Sequence, residues 1–140
     1  MKLKLIFLAL ATMAVTASVA VAAPQKGKPP TTGAGCKPVV SVVLTGTVAV
    51  APGATPVLPF SLKVTVKHSN NHGHAYAKAA QPIAVTVTTD TTIQRDGQTS
   101  LASLLLGDRV TVHARACKAD LAHGATPTLT ATKIDAHAAK

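Results

Sequence analysis

The 140-residue sequence has no tryptophan and no glutamate, so its five acids are all aspartate, and only 2% of it is aromatic. Proteins that bind single-stranded nucleic acid stack bases on aromatic side chains. With Phe60 and Tyr76 as the only aromatics beyond residue 22, this chain has no such platform. Two cysteines are too few for a disulfide-dense miniprotein or a four-thiolate zinc site. Charged residues make up only 14% against 47% apolar, which excludes a coiled coil or a polar disordered chain, and no glycine period suggests collagen. Gly-x-Ser-x-Gly, phosphate-cradling glycine loops and zinc-protease motifs are all missing, as are paired carboxylates for acid–base work. Ser, His and Asp are present, but nothing in their spacing points to a triad.

What the chain does have begins with an address. Met1-Lys2-Leu3-Lys4 is basic, Leu5 to Ala20 is apolar and uncharged, and Ala20-Val21-Ala22 offers small residues for cleavage after Ala22. That is the layout of a secretory signal peptide over residues 1–22; the competing reading is an uncleaved membrane anchor, for which the apolar stretch is barely long enough. No twin-arginine pair is present, so export of an unfolded chain is expected. Loss of Lys2 and Lys4 lowers the net charge from +9 to +7. Residues 23–38, dense in Pro, Gly and Lys, read as a flexible lead-in to one domain over 39–140. The expected location is therefore the periplasm or the cell exterior.

In an oxidising compartment two cysteines are expected to pair. Gly33-Ala34-Gly35-Cys36 resembles a lipoprotein box only loosely, with Gly33 where a leucine-like residue belongs. A Cys36–Cys117 disulfide is the better reading; it closes a loop of about 80 residues and stabilises by roughly 4 kcal/mol in the chain-entropy model.

From Val39 onward apolar and polar residues alternate. The first strand, Val39 to Val50, puts Val42, Leu44, Val48 and Val50 on one face, with Gly46 marking a bulge or bend. Phe60 to Lys67 alternates cleanly, and Ile83 to Thr88 forms a third strand that Ile93 extends past a turn. Leu101 to Leu106 reads as a helical turn ended by Gly107. Val110, Val112, Ala114 and Ala116 make a fourth inward row, and Lys118 to Thr126 reads as a loop. Leu129, Ala131 and Ile134 mark a bulged last strand. The prediction is an all-β, five-stranded OB-like Greek-key barrel with a short helical turn between strands 3 and 4. In that topology the start of the first strand lies beside the end of the fourth, where Cys36 and Cys117 fall.

Leu44-Thr45-Gly46-Thr47-Val48, Val87 to Ile93, Leu106-Gly107-Asp108-Arg109-Val110-Thr111-Val112 and Ala131-Thr132-Lys133-Ile134 carry a resemblance. The stretch from Val43 to Ala136 resembles a family of small secreted bacterial β-barrel domains catalogued as a domain of unknown function. The resemblance implies a secreted barrel and no substrate. This chain differs in its His- and Asn-bearing insert at residues 69–81.

Two constellations could carry chemistry. His68, His72 and His74 in the segment His68-Ser69-Asn70-Asn71-His72-Gly73-His74 could converge on Zn²⁺ or Cu²⁺, with His123 from the last loop as a fourth ligand. The plainer reading of that segment is a solvated hairpin tip. A basic chain is also drawn to anionic envelope polymers or surfaces by long-range attraction. Lys63, Lys67, Arg109 and Arg115 read equally as a solvated outer face that guards strand edges. Asp90, Asp96, Asp108, Asp120 and Asp135 fall at turns or in a frayed last strand, where aspartate bends chain. The sequence therefore points to a non-enzymatic binding or structural module of the envelope, with a periplasmic metal binder as the alternative.

Overall fold

β-Branched residues at every second position leave one face of a strand apolar, and that face must meet another layer. A computed structural model describes residues 36–140 and shows how this is met. The expected signal peptide, residues 1–22, and the expected lead-in as far as residue 35 lie outside the described residues. The strands are β1 (Val39–Val48), β2 (Phe60–Ser69), β3 (Ile83–Val87), β4 (Thr92–Arg95), β5 (Arg109–Cys117) and β6 (Leu129–His137). Their order is β3-β2-β1-β5-β6-β4, and β3 also pairs with β6. That last pairing is parallel, through Val85–Leu129 and Thr86–Thr130, and it closes the sheet into a barrel. β4 continues along β6 in the same parallel sense, from Thr92–Lys133 to Arg95–Ala136. β3 and β4 thus form one interrupted third strand, and the expected five-stranded closed barrel is what the chain builds.

The inward rows follow the alternation. Val42, Leu44, Val48, Leu62, Val64, Val85, Val87, Val110, Val112 and Ile134 are buried in one core. Val50 is a correction: β1 ends at Val48, and Val50 is exposed because the chain has left the ladder that would cover it. Gly46 does mark a bulge, with Lys67 as the extra residue on β2 between the Thr45–His68 and Gly46–Val66 pairs. A β-carbon at Gly46 would be driven into the Thr65 carbonyl, so only glycine lets the two backbones come this close. The last strand bulges at Thr132, which is skipped between the His113–Lys133 and Ala114–Ala131 pairs. It is not frayed, and Asp135 sits in regular register opposite Thr111.

The helical turn between the third and fourth strands is a 3-10 turn, Leu101–Ser103, in which Leu101 is buried. Two helical pieces differ from the sequence reading. Lys118–Gly124 is a pair of 3-10 turns meeting at a kink rather than open loop. The polar insert contains a 3-10 turn, Asn71–Gly73, running into helix α1 (His74–Lys78). It is packed on the barrel through the buried Gly73 and Tyr76 and is no solvated hairpin tip.

Cys36 and Cys117 are bonded, with Cα atoms 5.4 Å apart, a normal separation for a disulfide. Val39 opposite Cys117 begins the β1–β5 ladder, so the bond sits where those strands meet. Such a bond fits an oxidising export compartment. Among the described residues no helix is long and apolar enough to cross a membrane.

Candidate functional site: a histidine-bearing groove and a basic outer face

The insert folds as it does because two amide side chains hold its ends. Asn70 Oδ1 accepts from the Val43 and Gly73 amides at 3.2 and 3.0 Å, and its Nδ2 donates to the Ser41 carbonyl at 2.8 Å. At the other end Gln81 Oε1 accepts from the Val66 amide at 2.9 Å, and Nε2 donates to the Tyr76 carbonyl at 2.8 Å. Between them the Tyr76 ring turns inward, and its hydroxyl donates to the Pro127 carbonyl at 2.6 Å. Burial, reinforced by the Asp120 carboxylate, pushes the phenol well above its ordinary range. Asp120 keeps one buried carboxylate oxygen without a hydrogen-bond partner among the described residues.

With Tyr76 pinned inward, His74 and Lys78 at the two ends of α1 are exposed. His72, His74 and Lys78 line one side of a groove of ≈ 560 Å³, and Leu121, Gly124 and Thr126 line the other. A second hollow of ≈ 310 Å³ shares Ala79 and Thr126 with it and continues along Ile83 and Pro127. The groove therefore carries one lysine, two histidines and no acidic side chain among its lining residues.

The structure brings together two of the four histidines named from sequence. His72 and His74 share the groove. His68 lies on β2 opposite Thr45, and His123 sits in the kink of the last connection, its backbone left-handed at φ 58°. Neither is among the groove-lining residues. Among the described residues no three His, Cys, Asp or Glu side chains are grouped to hold a metal ion.

The outer face is strongly one-sided in charge. Lys63 and Lys67 on β2, Arg109 and Arg115 on β5 and Lys133 on β6 all point to solvent. The only acid on these strands is Asp135, held by Lys133 at 2.8 Å and His113 at 3.6 Å.

Sequence reasoning missed one pair. Asp108 is 2% exposed and accepts two hydrogen bonds from the Arg95 guanidinium, at 2.5 and 3.1 Å. It also accepts from the Leu105 amide at 2.8 Å. Those bonds, the guanidinium's first, hold its carboxyl below the usual range. Opposite charges 13 residues apart across two turns leave no mark in sequence periodicity.

No family model, no curated protein and no solved structure matches the chain.

Proposed function

We propose that this chain is an exported, non-enzymatic β-barrel module that adheres to anionic material of the bacterial envelope through its outer face. One observation carries the reading: Lys63 and Lys67 on β2 and Arg109 and Arg115 on β5 face solvent with no carboxylate on their own strands, while the single acid on β6, Asp135, is paired with Lys133. Clustered cations on a rigid sheet concentrate polyanions by long-range attraction. The leader-like residues 1–22 and the Cys36–Cys117 bond support export. The strand order β3-β2-β1-β5-β6, closed by a parallel pair, supports placing the barrel with OB-like Greek-key barrels. It agrees with the resemblance to secreted barrel domains of unknown function. Retention on an immobilised polyanion tests the reading. It should fall steeply as salt shortens the screening length from about 10 Å at 0.1 M to about 3 Å at 1 M. Retention that ignores salt, or survives Lys63→Ala, Lys67→Ala, Arg109→Ala and Arg115→Ala together, overturns it.

A second reading rests on His72 and His74 sharing one groove: a periplasmic Zn²⁺ or Cu²⁺ binder that recruits His68 or His123. Calorimetric titration of metal-stripped protein separates the two. Tight binding that disappears with His72→Ala plus His74→Ala supports the metal reading. Binding unchanged by that pair, or none at all, removes it.

A further inference from the structure

Folded chains seldom turn large apolar side chains outward in groups. Among the described residues six such side chains are exposed, and five of them lie on two connections that meet at Val48. Val50, Val57 and Leu58 are on the β1–β2 loop, and Leu105 and Leu106 are on the turn before β5. The two connections are tied together: the Gly107 amide donates to the Val48 carbonyl, and the Val48 amide donates to the Asp108 carbonyl, each at 2.9 Å.

The leucine turn is built, not frayed. Leu104 is buried in the core, whereas Leu105 is 53% and Leu106 66% exposed. The Asp108 amide donates to the Leu105 carbonyl at 3.2 Å, its carboxylate accepts from the Leu105 amide, and Gly107 supplies the left-handed step at φ +84°. Behind this stands the Arg95–Asp108 ion pair. A desolvated ion pair is weak evidence of stability in itself. Here its geometric effect is to fix a turn that holds two adjacent leucines out into water. A cation follows that turn directly, since Arg109 is exposed at the start of β5, and exposed Lys63 lies on β2, whose backbone is bonded to Ala49 in the tied β1–β2 connection. Asp108 is neutralised by Arg95 and adds no free negative charge.

Apolar tips with exposed cations on the adjoining strands match the interface of an anionic bilayer, where acyl chains take up the tips and headgroups meet the cations. We infer that the Leu105–Leu106 turn, with Val50 beside it, inserts into the headgroup–acyl boundary of an anionic lipid membrane. This deepens the adhesion proposed above by naming its surface, and it rests on that reading.

The test uses residues 23–140, which hold the whole barrel without the apolar leader, and vesicles of phosphatidylcholine with roughly 30% phosphatidylglycerol. Vesicle binding should fall about tenfold or more in Leu105→Ser plus Leu106→Ser, equivalent to about 1.4 kcal/mol or more. The same variant should keep its polyanion retention and its melting temperature. Since the chain has no tryptophan, Leu106→Trp places a lone indole on the turn. Its emission should shift to the blue on vesicles and be quenched by lipids brominated on the acyl chain. Wild-type vesicle binding by the double serine variant, or an unquenched indole, overturns the inference. So does light scattering that shows the leucines pairing two copies of the chain. Wild-type failure on the polyanion column is a separate result and strikes the adhesion reading instead.

Discussion

Arg95 reaches across from β4 to clasp Asp108 at the entrance of β5, and the clasped carboxylate in turn holds the Leu105 amide. One buried acid thus links the interrupted third strand, the leucine turn and the fourth strand of the barrel. Removing it leaves the Leu105 amide without its acceptor and frees the Arg95 guanidinium, so Asp108→Ala should destabilise the fold by about 1–3 kcal/mol. Thermal denaturation would show this as a fall in Tm on the order of 10 °C.

The same carboxylate sets an acid limit. Asp108 is held below the ordinary aspartate range by Arg95 first, and Asp96 by the His137 ring and then the Ala138 amide. In the unfolded chain both take up protons near pH 3.9, while the folded protein resists. The stability they confer is complete above that pH and is lost as pH falls through the lower folded values. Urea titrations at descending pH should show wild type losing stability below about pH 4, with a flatter acid limb in Asp108→Asn.

Tyr76 reports the opposite limb, and it is the only tyrosine in the chain. Absorbance titration should show no phenolate in the folded protein near pH 10, the ordinary tyrosine value. Above that pH the unfolded chain releases a proton that the folded chain keeps, so stability declines as pH rises. An ordinary titration curve in folded protein would remove the buried-phenol account. Tyr76→Phe, which loses the bond to Pro127, should cost about 1 kcal/mol.

Gly46→Ala should be far costlier than a surface glycine change, by roughly 2–3 kcal/mol, because the added carbon meets Thr65 backbone that cannot swing aside. Gly53→Ala is a partial control: it has open space around its position and suffers only from its φ of +85°. Equal destabilisation in the two variants would show that close strand approach is not what Gly46 provides.

A thiol assay on denatured, unreduced protein should find no free thiol, and replacing both cysteines by serine should cost about 4 kcal/mol or less. Two reactive thiols would remove the bond from the account.

The strands were legible because a two-residue period reports burial directly, and the cysteines agreed because the β1–β5 register is antiparallel. Val50 misled for a physical reason: alternation continued past the point where a neighbouring strand could cover it. Helix α1 left no period because it spans five residues and buries only Tyr76. It is held by Asn70 and Gln81, whose side-chain bonds to backbone 29 and 15 residues away have no local signature. Three consecutive leucines, 104 to 106, read as a helical turn. Nothing in their order says that the first turns inward while the other two face water, since an acid three residues further on decides that.

The seam between β6 and its parallel neighbours depends on residues 129–137, which follow every other described strand in the chain. Until residues 129–137 arrive, β3 and β5 each offer a bare row of amides and carbonyls to any passing strand. Both cysteines precede that stretch, so oxidation can fasten the β1–β5 pair while the cylinder is still open. An exported chain cut before residue 129 keeps both cysteines but leaves those edges bare, and such a truncation should yield aggregates rather than a smaller soluble fold.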